Sequence, residues 1–472
     1  MDGSKALFLG MTLSLVVSLG SGAPSHSTDA KAIGTSSDRA FPLQAIVRAS
    51  DAQEDDHFGV FVALSGDVAI VGAPREDGGL GDPIDSAGAA YVFRRDKDGA
   101  SQWGQVQKLT ASDAQVDDRF GHPVALSGDV AIVGAGYEDG GLGDPMLDAG
   151  AAYVFRRDKG GPSNWGQVAK LTAPDAQTLD RFGSSVAIDG NTAIIGAYGE
   201  DGGPADPTSN AGVAYVFQTV EGLGWVYLKT LRASDAQSED NFGFSVAISG
   251  DVVIVGASGE DGGPGDHLSG AGAAYIYSRN HGGDNQWGEV TKLVTSDPGA
   301  SDYFGHSVAV SGKLALVAAY MEDGGPGDPL PGAGAAYLFA NLSGFGWTQI
   351  RKLTAADASA HDHLGVSVAI LGDVAIVGAV HEGGGPGNPL PNAGAAYVFM
   401  RHFGGSGTWG QTRKLLAPDA QASDYFGQRV AVSGSSVIVG ASSEDGGGGD
   451  PTTNAGAAYI YYVSLLEAFK AN

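Results

Sequence analysis

The chain has 472 residues, 54 acidic against 27 basic side chains, a formal net charge of -27 and no cysteine. That balance speaks against nucleic-acid binding, which needs a basic footprint, and against docking to anionic lipid; cations or basic partners suit it better. Without cysteine there are no disulfides, no thiol catalysis and no thiolate-held zinc, so packing and closure alone must hold the fold.

At the N-terminus, Lys5 precedes an apolar stretch from Ala6 to Leu19, and Gly20-Ser21-Gly22-Ala23 supplies small residues for cleavage. Residues 1–23 read as a signal peptide, because a stretch of 14 apolar residues is short for a membrane span. Residues 24–40 are polar and rich in Ser, Thr and Ala, a flexible lead-in. The mature chain is therefore expected to be soluble and monomeric, either secreted or at the cell surface.

From residue 41 to 463 one unit returns seven times, leaving 464–472 as a tail. The first glycine of its Phe-Gly or Leu-Gly pair falls at Gly59, Gly121, Gly183, Gly243, Gly305, Gly365 and Gly427, in steps of 62, 62, 60, 62, 60 and 62 residues. Such a period means an array of identical supersecondary units. The second copy shows the pattern well. Phe120 to Leu126 is an apolar run, closed by the tight turn Ser127-Gly128-Asp129. Val130 to Ala135 is almost wholly apolar, as in a strand buried on both faces. A Gly/Asp/Pro loop over 136–149 leads to Ala151–Arg157, where Tyr153 and Phe155 alternate with smaller residues. A second loop leads to Trp165–Thr172, a more exposed strand.

Four strands per unit and seven units predict an all-β, seven-bladed β-propeller. The last copy stops after Ala457-Ala458-Tyr459-Ile460-Tyr461 without a fourth strand, whereas Phe41–Ala49 is a strand with no blade of its own. The N-terminal strand is expected to complete the last blade and so remove the exposed edges.

With Phe58-Gly59 and Gly72-Ala73-Pro74 in its first copy, and the Phe-Gly position returning in register, the chain resembles the FG-GAP repeat proteins, the group that includes the integrin α-subunit propeller. The resemblance spans roughly residues 41–463 and is nearest to exported microbial members. It implies adhesion or recognition of an extracellular protein or glycan. No membrane span, leg domain or partner-subunit feature of an integrin is present in the sequence. In integrins the calcium loop lies between the first two strands, where this chain has only Ser-Gly-Asp, so those calcium sites do not carry over.

A meander puts the loop after strand two and the link between blades on one face, and these carry the carboxylates. Glu76, Glu138, Glu200, Glu260, Glu322 and Glu444 are candidate ligand-binding residues of that acidic face. The pairs Asp77/Asp82, Asp139/Asp144, Asp201/Asp206, Asp261/Asp266, Asp323/Asp328 and Asp445/Asp450 are candidate metal ligands. Calcium, which takes six to eight oxygens, is the cofactor such Gly-rich loops could hold; the competing reading is that Asp satisfies backbone donors in tight turns. The links add Asp pairs five apart, such as Asp113/Asp118, read as caps between blades. The opposite face receives Arg94-Arg95 and Arg156-Arg157.

Six tryptophans each open an outer strand and read as covers over the seams, with sugar stacking as the alternative. The histidines fall at scattered offsets, and His361, His363 and His381 sit in the most deviant sixth copy. No nucleophile elbow, phosphate loop or His-Glu-x-x-His occurs. The sequence is thus read as a non-catalytic binding propeller. A polysaccharide-lyase-like enzyme and a structural matrix protein are the alternatives.

Overall fold

The computed structural model describes residues 41–77, 84–140, 146–201, 208–261, 268–323, 330–383, 389–403, 405, 407–445 and 452–463. Among these residues lie 28 strands in seven four-stranded antiparallel sheets, and no helix. In the first blade β2 (Phe61–Ser65), β3 (Val68–Ala73), β4 (Ala89–Arg94) and β5 (Gly104–Leu109) follow in chain order. The second blade repeats this with β6 (Val124–Ser127), β7 (Val130–Ala135), β8 (Ala151–Arg157) and β9 (Trp165–Leu171). The middle strands β7 and β8 are buried over almost their whole length, because neighbouring blades cover both faces. Outer β9 mixes buried, half-buried and exposed residues. The inner strand starts later than the sequence suggests: Phe120 to Pro123 forms the approach to β6 rather than part of it.

The innermost strands β2, β6, β10 (Ser185–Asp189), β14 (Phe242–Ser249), β18 (Ser307–Ser311), β22 (Leu364–Leu371) and β26 (Arg429–Ser433) each pack against the next, and β26 packs back on β2. The ring is closed as expected. β1 (Leu43–Val47) becomes the outer strand of the seventh blade, beside β27 (Ser436–Ala441) and β28 (Ala457–Tyr462), with Ile46 opposite Tyr459 and Val47 opposite Ala458.

Adjacent blades are joined through the backbone of the Phe-Gly pair. Phe120 N–H donates to the Ala87 carbonyl of the first blade at 2.9 Å, and Gly121 N–H donates to the Gly134 carbonyl of its own blade at 3.1 Å. Gly121 has φ of 103°, and a Cβ there would run into the Ala89 carbonyl, so only glycine lets the chains approach. The Phe120 ring meets Tyr153 and Phe155 edge-on, at 5.5 and 5.8 Å between centroids, and packs on Ala90, Val92 and Leu109 of the first blade. Leu364 replaces the phenylalanine in the sixth blade and stays 1% exposed, with its N–H on the Ala333 carbonyl.

Two further staples cross the seams. On the hairpin face, Gly128 N–H donates to Ser65 Oγ of the preceding blade at 2.9 Å, and five other seams repeat the bond with Ser or Asp as acceptor. Leu371, which has no side-chain acceptor, stands at the corresponding position of the sixth blade. Between outer strands, Trp165 N–H donates to Gln107 Oε1 and Gln107 Nε2 donates back to the Trp165 carbonyl, at 2.6 and 2.7 Å. Trp103, Trp165, Trp287 and Trp409 are buried, and Trp225 and Trp347 half-buried, which is the seam-covering role.

Removing residues 41–49 should open the ring by exposing the edge of β28 and the faces against which Phe41 and Val47 pack. The expected result is a lower and less cooperative melting transition, with concentration-dependent association by size exclusion as bare strand edges pair. An unchanged, monomeric melt would show that β1 is dispensable for closure.

Candidate functional site

The acidic face is built differently from its appearance in sequence. In the second blade, Lys170 Nζ on β9 lies 2.7 Å from Asp113 of the incoming link and 2.7 Å from Glu138 after β7. The Tyr153 hydroxyl on β8 donates to the other Asp113 oxygen at 2.8 Å. Burial opposes ionisation of Asp113, but Lys170 and Tyr153 together hold its carboxyl below the usual range. The same cation–Asp–Glu cluster occurs in all seven blades. In the seventh the cation is Arg48, just past β1, which reaches Glu444 at 3.0 Å and Asp419 at 3.4 Å.

The expected ligand-binding residues Glu76, Glu138, Glu200, Glu260, Glu322 and Glu444 are therefore not displayed to solvent: they are 0–1% exposed and fasten the link to the blade it enters. Glu382 does the same in the sixth blade, at 2% exposure. Their burial was missed because the signal is the lysine or arginine near the end of the outer strand, about 30 residues away in sequence.

The first aspartate of each candidate metal pair closes its own loop. Asp77, Asp139, Asp201, Asp261, Asp323 and Asp445 each accept the backbone N–H of the residue nine positions on, at 2.7–2.8 Å. Asp82, Asp144, Asp206, Asp266, Asp328 and Asp450 lie outside the described residues. Among the described residues no three His, Cys, Asp or Glu are grouped to hold a metal ion. The turn between the first two strands of the second blade is a two-residue hairpin whose Asp129 pairs with Arg157 at 3.2 Å.

The second link aspartates are buried beside these clusters. Asp118 accepts the Gln115 N–H at 2.7 Å, and burial, aided by Glu138, pushes its carboxyl up to about 7. Asp56, Asp180, Asp240 and Asp424 are likewise raised by burial to about 7.

Where the inner strands begin, on the same face, the ring encloses an axial cavity of about 340 Å³. Here the copies differ most. The residue after the repeat glycine is Val60, His122, Ser184, Phe244, His306, Val366 or Gln428, and the next is Phe61, Pro123, a serine in four copies, or Arg429. The residue before the Phe-Gly pair is His57, Arg119, Arg181, Asn241, Tyr303, His363 or Tyr425, all with φ between 53° and 59°. This left-handed backbone is costly for side-chain-bearing residues. It is held by bonds such as Arg119 N–H to the Ser86 carbonyl at 3.1 Å.

These positions form a belt of rings and cations around the axis. His306 lies 5.0 Å from Phe244 and 4.3 Å from Tyr320; Tyr320 is 5.5 Å from His363, and His363 is 4.5 Å from His381. Arg119 and Arg181 both stack on Tyr137, at 4.3 and 4.5 Å. Histidines that look scattered along the chain thus converge on one place. Burial drives His122 and His363 down to about 4 and His306 to about 3, so they are neutral at pH 7.

Two predictions follow from the buried carboxylates. Glu138→Gln should destabilise the protein by about 1–3 kcal/mol, read as a lower melting temperature, because Lys170 loses half of its compensation in a largely buried site. Asp118→Asn should do the reverse. A carboxyl raised from 3.8 to about 7 takes up its proton first in the folded state, so folding gains stability as pH falls and loses it as pH rises through 7. The amide should therefore stabilise by roughly 1–3 kcal/mol near pH 8, by less near pH 5, and add nothing below the ordinary carboxyl value of 3.8 in paired melting curves. The lowered histidines work in the opposite sense, favouring the folded state above their ordinary value and opposing it as pH falls.

A comparison with curated proteins gives no match. The family model described as FG-GAP repeat matches seven segments, residues 41–93, 103–155, 165–217, 225–277, 287–339, 347–399 and 409–461, each running from an outer strand to the third strand of the next blade. With the seven blades, the Phe-Gly joints and the closing strand in place, the chain belongs to the FG-GAP repeat family.

Proposed function

We propose that this propeller is an exported, monomeric and non-catalytic binding protein that recognises an extracellular protein or glycan at the axial end of its loop face. One observation carries the reading. The residues that agree among the seven copies are engaged in joints, clusters and loop staples, while His122, Tyr137, Tyr198, Phe244, His306 and Arg429, where the copies differ, line one cavity. A purely structural ring has no need to collect Tyr137, Tyr198, Tyr320 and several histidines at its axis. FG-GAP repeats are typical of extracellular and surface proteins, which agrees with the leader at residues 1–23. Among the described residues no helix is long and apolar enough to cross a membrane.

The rim aspartates are proposed as loop staples rather than calcium ligands, so a chelator should leave the melting curve unmoved; a drop restored by calcium would reverse that assignment. A lyase-like activity on acidic polysaccharide is the second reading, favoured by the imidazoles of His306 and His363 flanking Tyr320.

A glycan array and panels of purified extracellular-matrix proteins test the first reading. Tyr137→Ala and Tyr320→Ala should each weaken the captured interaction at least tenfold with little change in melting temperature, since both side chains lie at the axial mouth. Asp77→Asn on the rim should leave it unchanged. Binding lost by the rim variant and kept by the axial variants would overturn the assignment. Formation of unsaturated uronate from an acidic polysaccharide would replace it with the enzymatic reading.

A further inference from the structure

Arg429 stands at the head of the inner strand β26, and its surroundings differ from those of the cluster cations and of Arg181. Lys170-type cations face two carboxylates, and Arg181 is paired with Asp148 at 3.2 Å. Arg429 is half-buried at the head of β26, lies 4.5 Å over the Phe61 ring across the seam that closes the propeller, and donates one hydrogen bond, to the Gln428 carbonyl at 2.8 Å. Among the described residues no carboxylate pairs with it. Arg429 borders the axial cavity, whose other walls mix valines and the rings of Phe61 and Phe244 with serines, His122, His306, Tyr137, Tyr198 and the Asp148-paired Arg181.

At the corresponding position of four other blades stands a serine, and each of these is used within the protein. Ser185 and Ser245 donate to the Gly243 and Gly305 carbonyls at 2.7 Å, while Ser307 and Ser367 accept the N–H of Val368 and Val430 at 3.1 Å. The arginine spends one donor on the Gln428 carbonyl and stacks on Phe61, and among the described residues no hydrogen bond to another blade is formed by its guanidinium. A half-buried guanidinium without a counter-charge is costly, and the cost is offset when an anion enters with it.

We infer that the axial cavity binds a small organic monocarboxylate, its carboxylate received by the free donors of Arg429 and its apolar body lying among Phe61, Phe244 and Val366. The charge count favours a monoanion. Burial lowers Arg429 only to about 10, so it carries one full charge at pH 7, while His122 and His306, which face it across the lumen, are neutral there. Arg181 also lines the cavity but is paired with Asp148, so sulfate or phosphate would bring more charge than the one unpaired guanidinium balances and would gain nothing from Phe61, Phe244 and the valines. A volume of about 340 Å³ suits a ligand of small-molecule size.

This inference rests on the axial end being a recognition site, but it can fail separately. The probe is benzoate, titrated calorimetrically into the full mature protein near pH 7.5, with benzyl alcohol as the neutral control. One site per chain is expected, with benzyl alcohol at least tenfold weaker. Arg429→Gln should weaken benzoate at least tenfold while melting no lower than the parent, because the residue removed is an uncompensated charge. Should that variant fold poorly, the benzoate against benzyl alcohol comparison on the unaltered protein still decides. No saturable benzoate binding, equal binding of the alcohol, or undiminished binding by a folded Arg429→Gln protein would each overturn the proposal. If benzoate fails while Tyr320→Ala still abolishes capture of a matrix protein or glycan, only this inference falls. If benzoate binds through Arg429 and no macromolecule is captured, macromolecular recognition falls instead.

Discussion

Every blade of this molecule is held to the next by a peptide backbone that belongs to both. The N–H of the repeat phenylalanine is bonded to the preceding blade, and the N–H of the glycine after it is bonded to its own. Between these two bonds there is no room for a Cβ. The constraint fixes the distance between adjacent sheets, and with it the place where each inner strand begins. It also explains why the ring closes without a disulfide. The last joint, Phe58 N–H to the Ala455 carbonyl at 3.0 Å, repeats the bond of the other six, and β1 then covers the outer edge it leaves.

The architecture was legible because it depends on features that are local in sequence. Apolar runs, Ser-Gly-Asp turns and the unmatched strand at Phe41–Ala49 were enough to give seven blades and the closing partner. Charge was harder to interpret. A glutamate followed by Asp-Gly-Gly looks like a solvent-facing loop, and nothing nearby shows that Lys170 returns to cover Glu138 from the far edge of the sheet. The histidines were misleading for a related reason. His122 follows its glycine, His363 precedes its leucine and His381 lies two residues past a second strand, so they share no offset, yet ring contacts bring His363 onto His381 and His122 onto Tyr137. In a ring, position along the repeat is a poor guide to distance from the centre.

The clusters on the loop face show which property the fold requires. In five blades the cation is a lysine before the repeated leucine; in the third and seventh it is an arginine after the corresponding Leu231 or Val47. The side chain changes and the position shifts by two residues, yet the charge still arrives between the same two carboxylates. In the third blade it arrives less closely, at 3.7 Å from Glu200 and 4.0 Å from Asp175. A net charge of -27 consequently overstates how much carboxylate the loop face presents, since each blade consumes one Glu and one Asp in its own cluster.

That accounting reverses the polarity expected of the binding end. Among the described residues, the glutamates and first aspartates of the loop face are committed to the frame, whereas aromatic, imidazole and guanidinium groups stand around the axis. A strongly acidic protein thus has an axial centre that is neutral to cationic at pH 7, with Arg429 as its uncompensated charge. The surrounding negative field repels anions at long range and screens out with salt, but inside a low-dielectric cavity the local guanidinium dominates. For the ligand proposed above, selection at such a site would act by shape and desolvation rather than by attraction from a distance. A ring of near-identical blades is well suited to this, because its agreement fixes the frame while its few disagreements are brought to one point.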